Sequence, residues 1–169
     1  MELKEVLLKR RSVRKFTDEK VTDEHIDELL HAAMSGPSAC NKTPWEFYVI
    51  RNTEKLGAVK KSSLFSRFNS SLAIVVAGNT SRALPTPLTE YWIQDCSAAI
   101  ENILLRATDL GLGTVWCGAY PQKRVEDNLH STLEMPEEHI PLAIIHVGYP
   151  AETPEPRDQY DSERIHFID

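Results

Sequence analysis

The sequence predicts a mixed α+β or α/β layered fold in which helices cover a central sheet. Three observations carry this reading. Short runs at 72–77, continuously apolar, and 142–147, apolar but for His146, are closed by glycine and have the length of buried strands. Between such runs lie stretches whose apolar residues recur at i, i+3 and i+4, the period of an amphipathic helix. The chain has 169 residues, 41% hydrophobic and 26% charged, enough for one core and short for two.

Taken in order, Leu3, Val6 and Leu7 form a helical stripe that ends near a cluster of arginines. Thr22 or Asp23 can cap a second helix carrying Ile26, Leu29, Leu30 and Ala33, which Gly36-Pro37-Ser38 breaks. A polar loop runs to Pro44, residues 45–50 read as a strand, and Asn52-Thr53 caps a short helix through Val59. The run at 72–77 is a buried strand stopped by Gly78-Asn79, and the proline-rich stretch 82–87 is expected to be a mobile loop. The longest helical pattern spans about 88–110, with Gly111 as its stop. Its apolar face (Ile93, Cys96, Ala99, Ile100, Ile103, Leu104, Ala107) is wide enough for burial against both the sheet and a second subunit. A strand at 114–117, a helix at 122–133 and a strand at 142–147 follow. Beyond Gly148-Tyr149-Pro150, residues 151–169 form a polar, proline-bearing tail expected to wrap over a surface. With no repeat and no linker, residues 1–169 are expected to form a single domain.

Composition narrows the function. A net charge of −6 argues against nucleic acid as the main partner, because phosphate backbones need a basic field. No apolar run approaches bilayer length, and the first residues lack the features of a signal peptide, so a cytoplasmic location without membrane association is expected. Cys40, Cys96 and Cys117 form no CxxC pair, and the six histidines form no HExxH, so neither a disulfide framework nor a metal site is expected. GxGxxG and P-loop patterns are also missing, leaving a Rossmann site unsupported.

Three segments could carry chemistry. Against the acidic background, Lys9, Arg10, Arg11, Arg14 and Lys15 fall close together around Ser12, a pattern suited to a terminal phosphate or to a solvated basic turn. The loop at 36–45 is stiffened by Pro37 and Pro44, its small residues Ser38 and Ala39 admit a flat ligand, and Asn41 can donate and accept. Without a ligand it is a structured turn. At 111–118, Gly118 closes a strand and can bring a backbone N–H close to a ring, or simply turn the chain.

In this order the pieces resemble the nitroreductase family of FMN-dependent proteins. The resemblance runs through Arg10-Arg11-Ser12-Val13-Arg14-Lys15-Phe16, the Gly-Pro-Ser-Ala-x-Asn loop at 36–41, Pro44-Trp45, and Gln94-Asp95 with Ala98 and Asn102. It continues through Gly-Leu-Gly-Thr-x-Trp-x-Gly at 111–118 and Gly148-Tyr149-Pro150 with a later arginine. It implies a three-layer α/β/α fold with a mostly antiparallel sheet, in an intertwined homodimer holding FMN at the subunit interface. It further implies that Arg10, Arg11, Ser12 and Arg14 meet the phosphate, with Arg157, or in competition Arg164, returning from the tail. Pro37, Ser38, Ala39 and Asn41 would reach the ring from the other subunit, and the Gly118 backbone would lie beside it. The chain departs from the family pattern at Thr43, where a glutamine is common.

The implied activity is an oxidoreductase taking hydride from NADH or NADPH through FMN to a nitroaromatic, quinone or flavin, by a ping-pong mechanism. No catalytic side chain is singled out. A flavin-sequestering protein without turnover and a reductive dehalogenase on the same fold are the alternatives. Phe65, Phe68, Tyr91 and Trp92 are candidates to cover the flavin face and clamp an aromatic acceptor, or else are packing residues.

Overall fold

In a computed structural model that describes residues 1–168, the order is α1 (Leu3–Lys9), α2 (Asp23–Met34), β1 (Trp45–Ile50), α3 (Thr53–Ser62) and β2 (Leu72–Asn79). Then come α4 (Tyr91–Asp109), β3 (Gly113–Gly118), α5 (Lys123–Leu133) and β4 (His139–Gly148). Short 3₁₀ turns lie at Ala39–Asn41 and Ser162–Arg164. The sheet has the order β1-β2-β4-β3, and each neighbouring pair is antiparallel.

The strand periodicity sorts the two faces. Leu72, Ile74 and Val76 of β2, with Ala143, Ile145 and Val147 of β4, pack under α2 and α4. Ala73, Val75 and Ala77, with Ile144, pack under α3 and α5 through Leu56, Val59, Val125 and Leu129. This is a three-layer α/β/α arrangement, and it explains why β2 reads as an unbroken apolar run: both of its faces are covered. Each fully buried Ile or Leu in these layers contributes about 1.5–3 kcal/mol.

The helix starts follow capping chemistry. The Thr22 hydroxyl accepts from the His25 N–H at 3.2 Å, and the Asn52 side chain accepts from the Lys55 N–H at 3.0 Å. Several boundaries differ from the sequence expectation, α3 running on to Ser62 among them, and three have a physical reason. Gly78 does not end β2 but lies inside it, paired with Trp45 and Ile140, and it is glycine because a Cβ there would come within 2.2 Å of the Trp92 ring. β4 begins at His139, ahead of Pro141, which lies opposite Ala77 where the β2–β4 register shifts. α4 begins at Tyr91, since a turn closed from Leu88 N–H to the Pro85 carbonyl occupies the preceding residues. None of the described helices is long and apolar enough to cross a membrane.

Candidate functional site

After α1 the chain leaves the helix and runs as a strap across one end of the sheet. Ser12 bridges Thr114 of the edge strand β3, with Val13 N–H donating to the Thr114 carbonyl at 2.8 Å. Phe16 bridges Pro150, and Thr17 N–H donates to the Tyr149 carbonyl at 2.9 Å. Two glycines make this course possible. A Cβ on Gly113 would lie 2.8 Å from Val13, and one on Gly148 would lie 2.9 Å from Phe16. The two apolar side chains of the strap therefore sink onto bare backbone. The Glu152 carboxylate accepts from the N–H groups of Arg14 and Lys15 at 2.6 and 3.2 Å, and Asn69 clasps Phe16 by donating to its carbonyl and accepting from its N–H.

With Val13 and Phe16 turned inward, the arginines are left partly exposed. Arg10 and Arg11 line a cavity of about 270 Å³ together with Arg157 and Tyr160 from the tail. The tail is placed there by a hydrogen bond from Arg157 N–H to the Leu8 carbonyl at 3.3 Å, and Arg11 donates to the Glu155 carbonyl at 2.7 Å. Arg10 faces Glu101 across 3.6 Å; burial raises the pKa of that carboxyl, against the pull of Arg10. Arg164 does not line this cavity and instead pairs with Asp161 in its own turn.

A second cavity, of about 550 Å³, is lined by Arg14, Phe65, Phe68, Trp116, Cys117 and Gly118 among others. A Cβ on Gly118 would meet nothing within 4 Å, so its backbone faces open space. Cys117 donates to the Phe65 carbonyl at 3.2 Å, and burial pushes its thiol up to about 11, which makes it a poor nucleophile. Trp92 does not belong to this wall. It is 3% exposed, edge-on to Tyr120 at 5.3 Å, and its ring covers Gly78; Tyr91 also lies outside the cavity.

The turn of Pro37, Ser38, Ala39 and Asn41 lines neither cavity. It rests on α4. Gly36 lies against the Ala99 backbone, Asn102 donates to the Ala32 carbonyl at 3.0 Å, and buried Asp95 accepts from the Ala39 N–H at 2.8 Å. The Ser38 hydroxyl accepts from the Thr43 N–H at 2.9 Å. Cys40, Asn41 and Thr43 all take left-handed backbone angles, with φ of 49°, 53° and 44°. Each such non-glycine residue costs about 1–2 kcal/mol unless its surroundings compensate.

The family model for nitroreductases matches residues 7–74 and 67–149, across the strap, the α2–β1 turn, α4 and β4. The chain belongs to the nitroreductase family. A relative from Methanothermobacter thermautotrophicus, provisionally named a NADH dehydrogenase/NAD(P)H nitroreductase, is 41% identical over 99% of this chain and 87% of its own. A solved structure from Parabacteroides distasonis under the same provisional name superposes with a TM-score of 0.92 at 36% identity, covering 99% of this chain and 98% of that one. An FMN-dependent nitroreductase from Clostridium difficile superposes at 0.88 with 30% identity, covering 97% and 98%.

Within this nitroreductase fold, two site-building residues gave no signal in sequence. Glu152 and Asn69 act on backbone N–H groups 138 and 53 positions away, so no local spacing marks them. Asp95 and Asn102 stood in the resemblance without a role, and the structure shows them holding the α2–β1 turn.

Proposed function

We propose that this nitroreductase-family chain is an FMN-dependent NAD(P)H oxidoreductase, working as a homodimer with the flavin between subunits. Its acceptor would be an electron-poor ring compound (a nitroaromatic, quinone or flavin), exchanging with NAD(P)H in ping-pong order. The observation that carries this reading is the convergence of Arg10, Arg11 and Arg157 on one cavity in a chain of net charge −6. A second cavity, with the open Gly118 backbone and aromatic walls, opens near Arg14 of the same strap.

The residues present fit FMN. Planar guanidinium groups match a terminal phosphate bidentately, so Arg10, Arg11 and Arg157, which share one cavity, would hold that end, with Ser12 of the strap and Arg14 from the Gly118 cavity as further donors. At Gly118 no side chain keeps a flat ring from the backbone. Pro37, Ser38, Ala39 and Asn41 of a second copy would complete the cradle. Exposed Leu3, Leu7, Phe167 and Ile168 supply the apolar surface that a dimer would cover.

When bound, the flavin supplies acceptance of hydride and its onward delivery. What the chain's own residues do is bind and orient. Arg14 places a cation at the cavity rim, favouring anionic character there. Phe65 and Phe68 offer aromatic surface to a flat acceptor. No side chain is needed as acid or base, since solvent reaches the open cavity and can supply protons.

The test is the visible spectrum and FMN affinity of the purified protein, with NADH and NADPH oxidation measured against a nitroaromatic and a quinone. Bound flavin and turnover are expected. Arg10→Ala should weaken FMN binding about 10- to 150-fold, the loss of one charge-assisted hydrogen bond to phosphate. A colourless protein that FMN cannot reconstitute would overturn the reading, and bound flavin that neither nicotinamide reduces would leave a flavin-sequestering protein.

A further inference from the structure

Segment 63–71, between α3 and β2, has no helix or strand of its own, yet it supplies Leu64, Phe65, Arg67 and Phe68 to the wall of the Gly118 cavity. Something other than a backbone ladder must hold it. At its centre is His146 of β4, a fully buried imidazole between Ile145 and Val147. Its Nε2 lies 2.6 Å from the Ser66 hydroxyl and its Nδ1 lies 2.8 Å from the Ser70 hydroxyl. Both serines are buried, and Phe68 meets the imidazole edge-on at 5.5 Å. Lys60 adds a hydrogen bond to the Ser70 carbonyl at 2.7 Å.

An Ile or Val at 146 would fill the core without desolvating two ring nitrogens, so packing alone gives no reason for a histidine here. Burial pushes the imidazole down to about 4, so at ordinary pH it is neutral, with one nitrogen donating and the other accepting. That pairing suits two hydroxyls, each of which can do either. A single rigid ring thus ties two points of the segment, Ser66 and Ser70, to the sheet.

We propose that His146 is a positioning residue that, through Ser66, Ser70 and Phe68, fixes the 63–71 segment as the aromatic wall of the acceptor cavity and so sets which acceptors fit. The proposal rests on the assignment of that cavity to the acceptor, and its first test does not. Trypsin cleavage after Arg67 is followed in the protein as purified, well below the unfolding temperature. His146→Leu keeps volume and loses both hydrogen bonds, and Ser66→Ala loses one with little change in volume. His146→Gln keeps a donor and an acceptor.

Cleavage should accelerate about tenfold or more in His146→Leu and about fivefold in Ser66→Ala, with His146→Gln returning most of the protection. In flavin-loaded protein, KM for a two-ring quinone should rise about tenfold in His146→Leu relative to KM for a one-ring quinone. The kcat with the one-ring quinone should stay within about twofold. Unchanged cleavage in Ser66→Ala and in any folded His146→Leu protein overturns the proposal, as does faster cleavage with no change in the KM ratio. Failure of the protein to bind FMN sinks the functional reading instead, while the cleavage result still stands.

Discussion

Asp95 is the most direct test of how α4 builds the turn assigned to the flavin ring. Its carboxylate is 6% exposed and accepts from the Ala39 N–H at 2.8 Å. That turn holds Cys40, Asn41 and Thr43 at positive φ, so about 3–6 kcal/mol of backbone strain depends on the contacts that pin it. Asp95→Ala removes one charge-assisted hydrogen bond, worth about 1.5–3 kcal/mol, and leaves a part-buried N–H without its acceptor. If the turn must be preorganised to meet FMN, the same energy appears as a loss of affinity of roughly 10- to 150-fold. Asp95→Asn retains an oxygen at the Oδ1 position and should stay within about threefold of the native protein. The assay is quenching of free FMN fluorescence on titration with flavin-free protein, with urea unfolding run in parallel to show that each variant is folded. A folded Asp95→Ala protein that binds FMN like the native one, or equal losses in the Ala and Asn variants, would refute the argument.

Two further outcomes concern stability. Gly78→Ala places a Cβ 2.2 Å from the Trp92 ring, so urea unfolding should show a loss of about 1–3 kcal/mol and the near-UV signal of the tryptophans should change; native-like stability would mean that Trp92 does not cover Gly78. Acid should weaken the fold through His146, whose imidazole lies near 4 in the folded chain against an ordinary 6.5, with Lys60 on α3 opposing its protonation. Between these values the unfolded chain binds the proton and the folded one does not. Stability is therefore lost as pH falls from about 6.5 to 4, by up to about 3 kcal/mol, and His146→Gln should flatten that part of the stability–pH curve measured by urea unfolding.

The layers of the fold were legible in sequence because burial writes itself as a period: both faces of β2 are covered, so 72–77 is unbroken, and one face of α4 is buried, so its apolar residues recur at three and four. The boundaries that slipped were those decided by distant partners, as where Gly78 pairs with Trp45 and Ile140 and leaves room for the Trp92 ring instead of stopping the strand. The candidate site divides in the same way. The arginine cluster was visible as charge against an acidic background, but its neighbour Arg157 is placed by a hydrogen bond to Leu8 that no local pattern encodes. The Pro37–Asn41 turn, which the resemblance assigns to the ring held by the other subunit, lines no common cavity with Gly118 within one chain. The glycines at 113 and 148 show how the core and the site depend on one another. They stood beside the candidate ligand segments, yet their tightest contacts are with Val13 and Phe16, 2.8 and 2.9 Å from where a Cβ would be. A side chain at either position would lift the strap from the sheet, and Arg10, Arg11 and Arg14 would lose the backbone course that aims them. The phosphate end of the proposed cradle is thus set by two apolar side chains and the space left for them.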